Sequence, residues 1–341
     1  MGKADEEMTK IRIIVLDGMD WEYCMAHQDQ IPNLMKIASE GCYGPLRSTE
    51  APITSSAVCA LLSGRDDGVQ WVSADRYTTS QELIRTRPWF PELWRNCYSI
   101  GLCNVPLTWP AFPLRKGSWL TSGFPVNEMA LTDKRRPWHW PASLNVDAYP
   151  IKGVVQDAGP GGAKNLEGIW TYEYYITQWF VNRVPRADVE VIWLRGTDSA
   201  GHHYWGTDQY TKAVIHADRS VGDLLANTEN VIVISDHGFD ALDSPRCEAY
   251  HRTTHGPSAT RAGLVGGHAM EGVIFAKGDM IFTSGLMPEQ KLVDVAGGIF
   301  DLLQLPPAPG MQTGQPHWSA PYEVDEEEEM REQLRRLGYL S

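Results

Sequence analysis

Basic charge is scarce in this sequence: 30 Lys and Arg stand against 43 Asp and Glu, for a net charge of −13. A nucleic-acid polymer as the main partner needs a basic surface, so that class of function is not expected. Part of the acidity is local, in the run Glu323 to Glu329, and the remaining chain is less acidic than the total suggests. Long apolar runs are missing as well. Nothing approaches 18 consecutive apolar residues, and the opening M-G-K-A-D-E-E-M-T-K has no apolar signal core. Glu6 breaks the myristoylation pattern. A soluble, cytoplasmic protein with no membrane partner is therefore expected. The six cysteines (Cys24, Cys42, Cys59, Cys97, Cys103, Cys247) form no C-x-x-C pair, which suits reduced core residues better than disulfides. Low-complexity tracts and internal repeats are absent too, and no signal for an oligomeric state is visible.

What is present is a globular composition, 43% hydrophobic over 341 residues, enough for one large α/β domain. Strands are expected at Ile11–Leu16, Tyr98–Val105, Val189–Leu194, Val231–Ile234 and Glu271–Ala276, each a run of mostly β-branched or apolar residues. Helical patterns fall between them. Pro32–Glu40 carries Pro32 at its first position and Gly41 as its stop. Ala57–Leu62, Glu82–Asn96, Ile169–Val184, Asp208–Leu225 and Glu289–Leu303 follow. Strand alternating with helix predicts a mostly parallel central sheet with helices on both faces. The range 66–168, rich in Pro and Trp from Pro106 onward, is expected to form an irregular cap within that domain. Its tryptophans could line a pocket, or pin down a long loop by burying area. A charged helix is expected over 320–341.

Chemistry concentrates where strands end. Asp17 follows the first strand, Asp198 and His202 follow the third, and Asp236 with His237 closes V-I-V-I-S-D-H-G. His268 adds a fourth point just before a strand. Open α/β sheets bind ligands at the C-terminal ends of their strands. Asp198 and His202 are four apart, so one helical turn would put them on the same side. Carboxylates mixed with imidazoles suit Zn²⁺, with Mn²⁺ or Fe as alternatives. Three Asp and three His exceed one tetrahedral ion but match two. Thr54 stands at the start of an apolar helix after Pro52, where backbone N–H groups favour an anion.

These segments resemble the alkaline phosphatase superfamily, and within it the type I phosphodiesterase/nucleotide pyrophosphatase group. Seven motifs in the family's order carry the resemblance: V-L-D-G-M-D (15–20), I-P-N-L (31–34), A-P-I-T-S-S-A-V-C-A-L-L-S-G (51–64), N-V-P-L-T-W-P (104–110), G-T-D-S-A-G-H (196–202), S-D-H-G (235–238) and G-G-H-A-M-E-G-V-I-F-A-K-G (266–278). The resemblance implies that Asp17, Asp236 and His237 hold one ion, and that Asp198, His202 and His268 hold the other. It places the nucleophile at Thr54, whose hydroxyl would also coordinate the first ion, with Ser55 and Ser56 as alternatives. His255 competes with His268 for the last ligand position, and Asn104 and His255 are candidate substrate contacts. The implied activity is hydrolysis of a small phosphorylated substrate through a phospho-threonine. Sulfatases carry a C-x-P-x-R nucleophile motif, and Cys42, Pro45 and Arg47 have the wrong spacing for it. The serine nucleophile and large inserted domain of the superfamily's phosphosugar mutases are not evident either. A catalytically silent binder of a phosphorylated ligand, and a superfamily member cleaving phosphonate or sulfate esters, are the competing readings.

Overall fold

A computed structural model of the chain describes residues 8–66, 80–123, 138–147, 149, 166–182, 185–247 and 263–312. The first strand, β1 (Thr9–Leu16), is apolar on both sides because it lies inside a sheet. Ile11, Ile13 and Val15 face one core, and Ile14 and Leu16 face the other. The buried charged exception is Arg12. It pairs with Glu190 across the strand register at 2.8 Å and donates to the carbonyls of Leu224 and Ala226, which satisfies a fully buried charge.

In chain order there follow α1 (Trp21–Ala26), α2 (Pro32–Glu40), β2 (Cys42–Arg47), α3 (Thr54–Ser63), α4 (Ser80–Arg85), α5 (Phe90–Arg95), β3 (Ile100–Val105), β4 (Trp119–Ser122) and β5 (His139–Trp140). The second half adds α6 (Leu166–Asn182), β6 (Val189–Leu194), α7 (Gly196–Tyr204), α8 (Asp208–Leu224), β7 (Thr228–Ile234), β8 (Gly238–Ala241), β9 (Gly266–Ala269), β10 (Glu271–Gly278), β11 (Gly285–Leu286), β12 (Gln290–Lys291) and α9 (Asp294–Leu302).

Among the described residues the main sheet runs β11-β2-β10-β7-β1-β6-β3-β4-β5, with β12 also on β2. From β7 to β4 all pairings are parallel, while β10 runs antiparallel to both of its neighbours. Helices α3, α5 and α9 cover one face, and α2, α6 and α8 the other. This is the expected mostly parallel α/β sheet, and the C-terminal ends of β1, β6 and β7 lie along one edge of it.

Part of the 66–168 range belongs to this sheet. Strands β3, β4 and β5 extend it beyond β6, and Trp119 packs edge-on against Trp179 inside the core. The Trp- and Pro-rich texture there had hidden two short strands, which are too brief to show periodicity. The expected helix over Glu289–Leu303 is shorter, because Gln290 and Lys291 pair with β2 before α9 begins. Gly41 does not end α2 in a left-handed turn. A Cβ there would lie 2.1 Å from the Ala276 carbonyl, so glycine is needed for the close approach of β10. All six cysteines are free; five are buried and Cys97 is exposed. No helix among the described residues is long and apolar enough to cross a membrane. The charged stretch 320–341 lies outside the described residues, as does His255.

Candidate metal centre

Two triads of ligand atoms form at the C-terminal edge of the sheet. Asp17, Asp236 and His237 bring one ligand atom each to within 4.8 Å of one another, and Asp198, His202 and His268 do the same. Asp17 arrives on the end of β1, and Asp236 and His237 on the end of β7. Asp198 and His202 sit one turn apart on α7, and His268 comes from β9. In the first triad His237 Nε2 is 3.4 Å from Asp17 Oδ1 and 3.5 Å from Asp236 Oδ2. In the second, Asp198 Oδ1 is 3.4 Å from His202 Nε2 and 3.3 Å from His268 Nε2. The triads adjoin, since the rings of His237 and His268 stack at 3.9 Å between centroids.

The inner atoms face one another, and the outer atoms of Asp17, Asp236, His237 and His268 are held by the protein. Trp193 Nε1 donates to Asp17 Oδ2 at 2.8 Å, and the Gly18 N–H donates to Asp236 Oδ1 at 3.1 Å. His237 Nδ1 donates to the Gly238 carbonyl, and His268 Nδ1 to the Pro52 carbonyl at 2.7 Å. The imidazoles of His237 and His268 are thereby oriented with Nε2 inward, as a hydrogen bond on the far nitrogen orients a metal-binding histidine. Asp236 Oδ2 and His237 Nε2 are buried without a hydrogen-bond partner among the described residues. Orphaned buried atoms are costly, and two of them converging in a mixed O/N set fit a cation.

The electrostatics agree. Burial, and then the Asp17 carboxylate, push Asp236 well above the ordinary carboxyl range. Burial works against a charged His237, but Asp236 and Asp17 outweigh it and raise the imidazole to about 10. The first triad therefore holds a proton more tightly than its parts would alone, the condition in which a cation displaces it. Burial also opposes ionisation of Asp198, yet His202 and His268 hold it well below the usual range. Burial, followed by the neighbouring His237, lowers His268 to about 3 and leaves it neutral with a lone pair for a metal.

Thr54 stands at the entrance. It is the first residue of α3, and its Oγ1 lies 3.4 Å from Asp17 Oδ1. Ser55 and Ser56, the alternative hydroxyls, are buried, while Thr54 is half-buried. The Pro52 carbonyl that orients His268 is only two residues before Thr54, so the loop carrying the hydroxyl is tied to the second triad as well.

A model of type I phosphodiesterase/nucleotide pyrophosphatase matches residues 12–279. The chain belongs to this family. Membership supports a hydrolase of the phosphodiesterase/pyrophosphatase type; the family is generally two-metal dependent, and the paired triads are candidate metal-binding groups. Among solved structures, human ectonucleotide pyrophosphatase/phosphodiesterase 5 is similar in fold at 13% identity and a TM-score of 0.58, covering 91% of this chain and 98% of that one. The murine form of that protein, in an inactive threonine-to-alanine variant in complex with AMP, is similar at 12% identity and a TM-score of 0.56, with coverage of 91% and 98%. None of the curated proteins matches the chain in sequence.

Within this family member, six of the anticipated ligands and Thr54 are brought together, and Asn104 stands on β3. Asn104 is buried, its Nδ2 donates to the Trp193 carbonyl and its Oδ1 accepts from Tyr172. The amide thereby braces β6, at a φ of 56° where the β3–β4 register shifts. Several functional residues escaped the sequence reading. Ser48 Oγ and Ser235 Oγ donate to the carbonyls of Asp236 and His237, both at 2.6 Å. Phe239 lies edge-on to the rings of His202 and His268. Glu173 on α6 accepts from the Gly196 N–H at 2.7 Å, capping the helix that carries Asp198 and His202. Glu173, a buried acid on the packed face of α6, was the available signal.

Proposed function

We propose that this chain is a phosphoric ester hydrolase acting on a small phosphorylated metabolite or nucleotide at a two-metal site, with Thr54 as nucleophile. The observation that carries the reading is Thr54 Oγ1 at a helix start, 3.4 Å from Asp17 Oδ1 and beside two inward-facing ligand triads. Asp17, Asp236, His237 and the Thr54 hydroxyl would hold one ion, and Asp198, His202 and His268 the other. Zn²⁺ suits the donor set best, with Mn²⁺ or Fe as alternatives. When bound, such ions lower the pKa of a coordinated hydroxyl or water and neutralise charge on phosphoryl oxygens.

The chain's own residues do the rest. Asp17 Oδ1 accepts the hydrogen bond of the Thr54 hydroxyl and so orients it; the oxygen attacks phosphorus as its proton passes to solvent water, from which the leaving oxygen regains one. The new Oγ–P bond replaces the ester bond, and the leaving oxygen departs with the substrate's other half. Water then cleaves the phospho-threonine, releasing phosphate or a phosphomonoester and restoring the hydroxyl. Backbone N–H groups of the first turn of α3 favour a non-bridging oxygen there. The AMP complex of the murine structure, formed with its threonine replaced, supports a nucleotide-like ligand and a threonine in this role.

Turnover of p-nitrophenyl phosphate and bis(p-nitrophenyl) phosphate with added Zn²⁺ or Mn²⁺ tests the reading. Thr54→Ala should lower kcat by roughly a thousandfold or more while metal content is kept. Unchanged activity in that variant would sink the threonine mechanism. Failure of the wild type to turn over any phosphoester would favour a silent binder of a phosphorylated ligand.

A further inference from the structure

Trp193 is the fifth residue of β6, and its flanking neighbours Ile192 and Leu194 face the opposite core. Packing alone would be served there by a phenylalanine. What tryptophan adds is an N–H, and a buried indole N–H needs an acceptor. In this protein the acceptor is Asp17 Oδ2 at 2.8 Å. A second buried tryptophan, Trp119, has no acceptor for its N–H among the described residues, so satisfaction of the indole is not automatic in this core.

The N–H on Oδ2 decides which oxygen of Asp17 is left for chemistry. An indole only donates, so Oδ2 is engaged and Oδ1 is the atom 3.4 Å from both Thr54 Oγ1 and His237 Nε2. Without that donor the carboxylate rotates more freely about its broad terminal torsion, and its two oxygens compete for the inner position. The backbone that carries the indole is in turn held from behind. Tyr172 on α6 donates to Asn104 Oδ1 at 3.0 Å, and Asn104 Nδ2 donates to the Trp193 carbonyl at 2.8 Å. Asn104, Trp193 and Tyr172 are all buried.

We infer that Trp193 is a positioning residue, which pre-sets Asp17 as a one-oxygen ligand of the first metal and is braced for that task by Asn104. The inference rests on the metal-centre reading above. It predicts an effect confined to one of the two ions, which a purely structural tryptophan would not have.

The test uses the full chain loaded with Co²⁺ or Zn²⁺. Affinities come from competition with a chromogenic chelator, and the visible absorption of the Co²⁺ forms reports each ligand shell. Trp193→Phe should weaken one bound equivalent by roughly 10- to 100-fold, alter the Co²⁺ bands of that equivalent and leave the other unchanged. Trp119→Phe, an equal loss of buried ring without the Asp17 contact, should leave both equivalents unchanged. If Trp193→Phe folds poorly, Asn104→Gly, which tolerates the positive φ, should weaken the same equivalent by a smaller factor. Wild-type affinities and Co²⁺ bands in Trp193→Phe, or the same loss in Trp119→Phe, would overturn the positioning role and leave the metal centre standing. A wild type that binds neither Co²⁺ nor Zn²⁺ would overturn the metal centre, and this role with it.

Discussion

Gly18 holds the turn after β1 at φ +69°, and its N–H reaches Asp236 Oδ1. A Cβ added there would lie 3.0 Å from both the Asp198 backbone and the Phe239 ring. Gly206 has a similar φ of +74°, yet nothing lies within 4 Å of its added Cβ. Both alanine variants carry the left-handed backbone cost of about 1–2 kcal/mol. Gly18→Ala should exceed Gly206→Ala in urea unfolding, because it must also move Asp198 or Phe239. Equal losses would show that the turn has room to spare and that the two triads are not packed through it.

At the scale of elements, α2 begins without a cap of its own. Ile31 offers no side-chain acceptor, and Asp218 on α8 supplies one, accepting from the N–H groups of Asn33 at 3.2 Å and Leu34 at 2.9 Å. Asp218→Ala should cost about 1–2 kcal/mol, the usual worth of a cap. Burial raises the Asp218 carboxyl against the pull of those N–H donors. A raised folded pKa means that the folded state keeps its proton longer than the unfolded chain. The carboxyl's contribution to stability is therefore greatest below about pH 4 and declines as pH rises through the folded value. The stability difference between wild type and Asp218→Asn, which never ionises, should shift against the wild type over that window and then level off. Urea midpoints between pH 3.5 and 7 would show it; a difference independent of pH would contradict the raised value.

At the scale of the whole molecule, the sheet brings three acids and three imidazoles from positions as far apart as Asp17 and His268 to one edge. Ligand binding to the folded state alone stabilises it, by about 2.7 kcal/mol for a site at a hundredfold excess over Kd. Thermal unfolding should therefore move up by several degrees on adding Zn²⁺ and return with excess EDTA. The same Tm in both conditions would count against the triads as metal sites.

Much of this was legible in residues. Buried β-branched runs announced the parallel strands, and the acids and histidines that follow β1, β6 and β7 pointed to the sheet edge where they meet. The four-residue spacing of Asp198 and His202 did the same for α7. Spacing could not show how far each strand carries its acid across the sheet, because strand order follows from pairing between segments far apart in sequence. Nor could it show Trp193 on Asp17, Pro52 on His268 or Asn104 turned inward, since each depends on a contact across 89 to 216 residues. The short strands β4 and β5 were hidden for a related reason, since edge pairing defines them and periodicity does not. The sequence by itself determined which chemical groups the protein has and that they cluster at strand ends, because period and residue type are local properties. Only the tertiary structure decided which oxygen or nitrogen of Asp17, Asp236, His237 and His268 faces inward, because that is set by the hydrogen bond made to its other side.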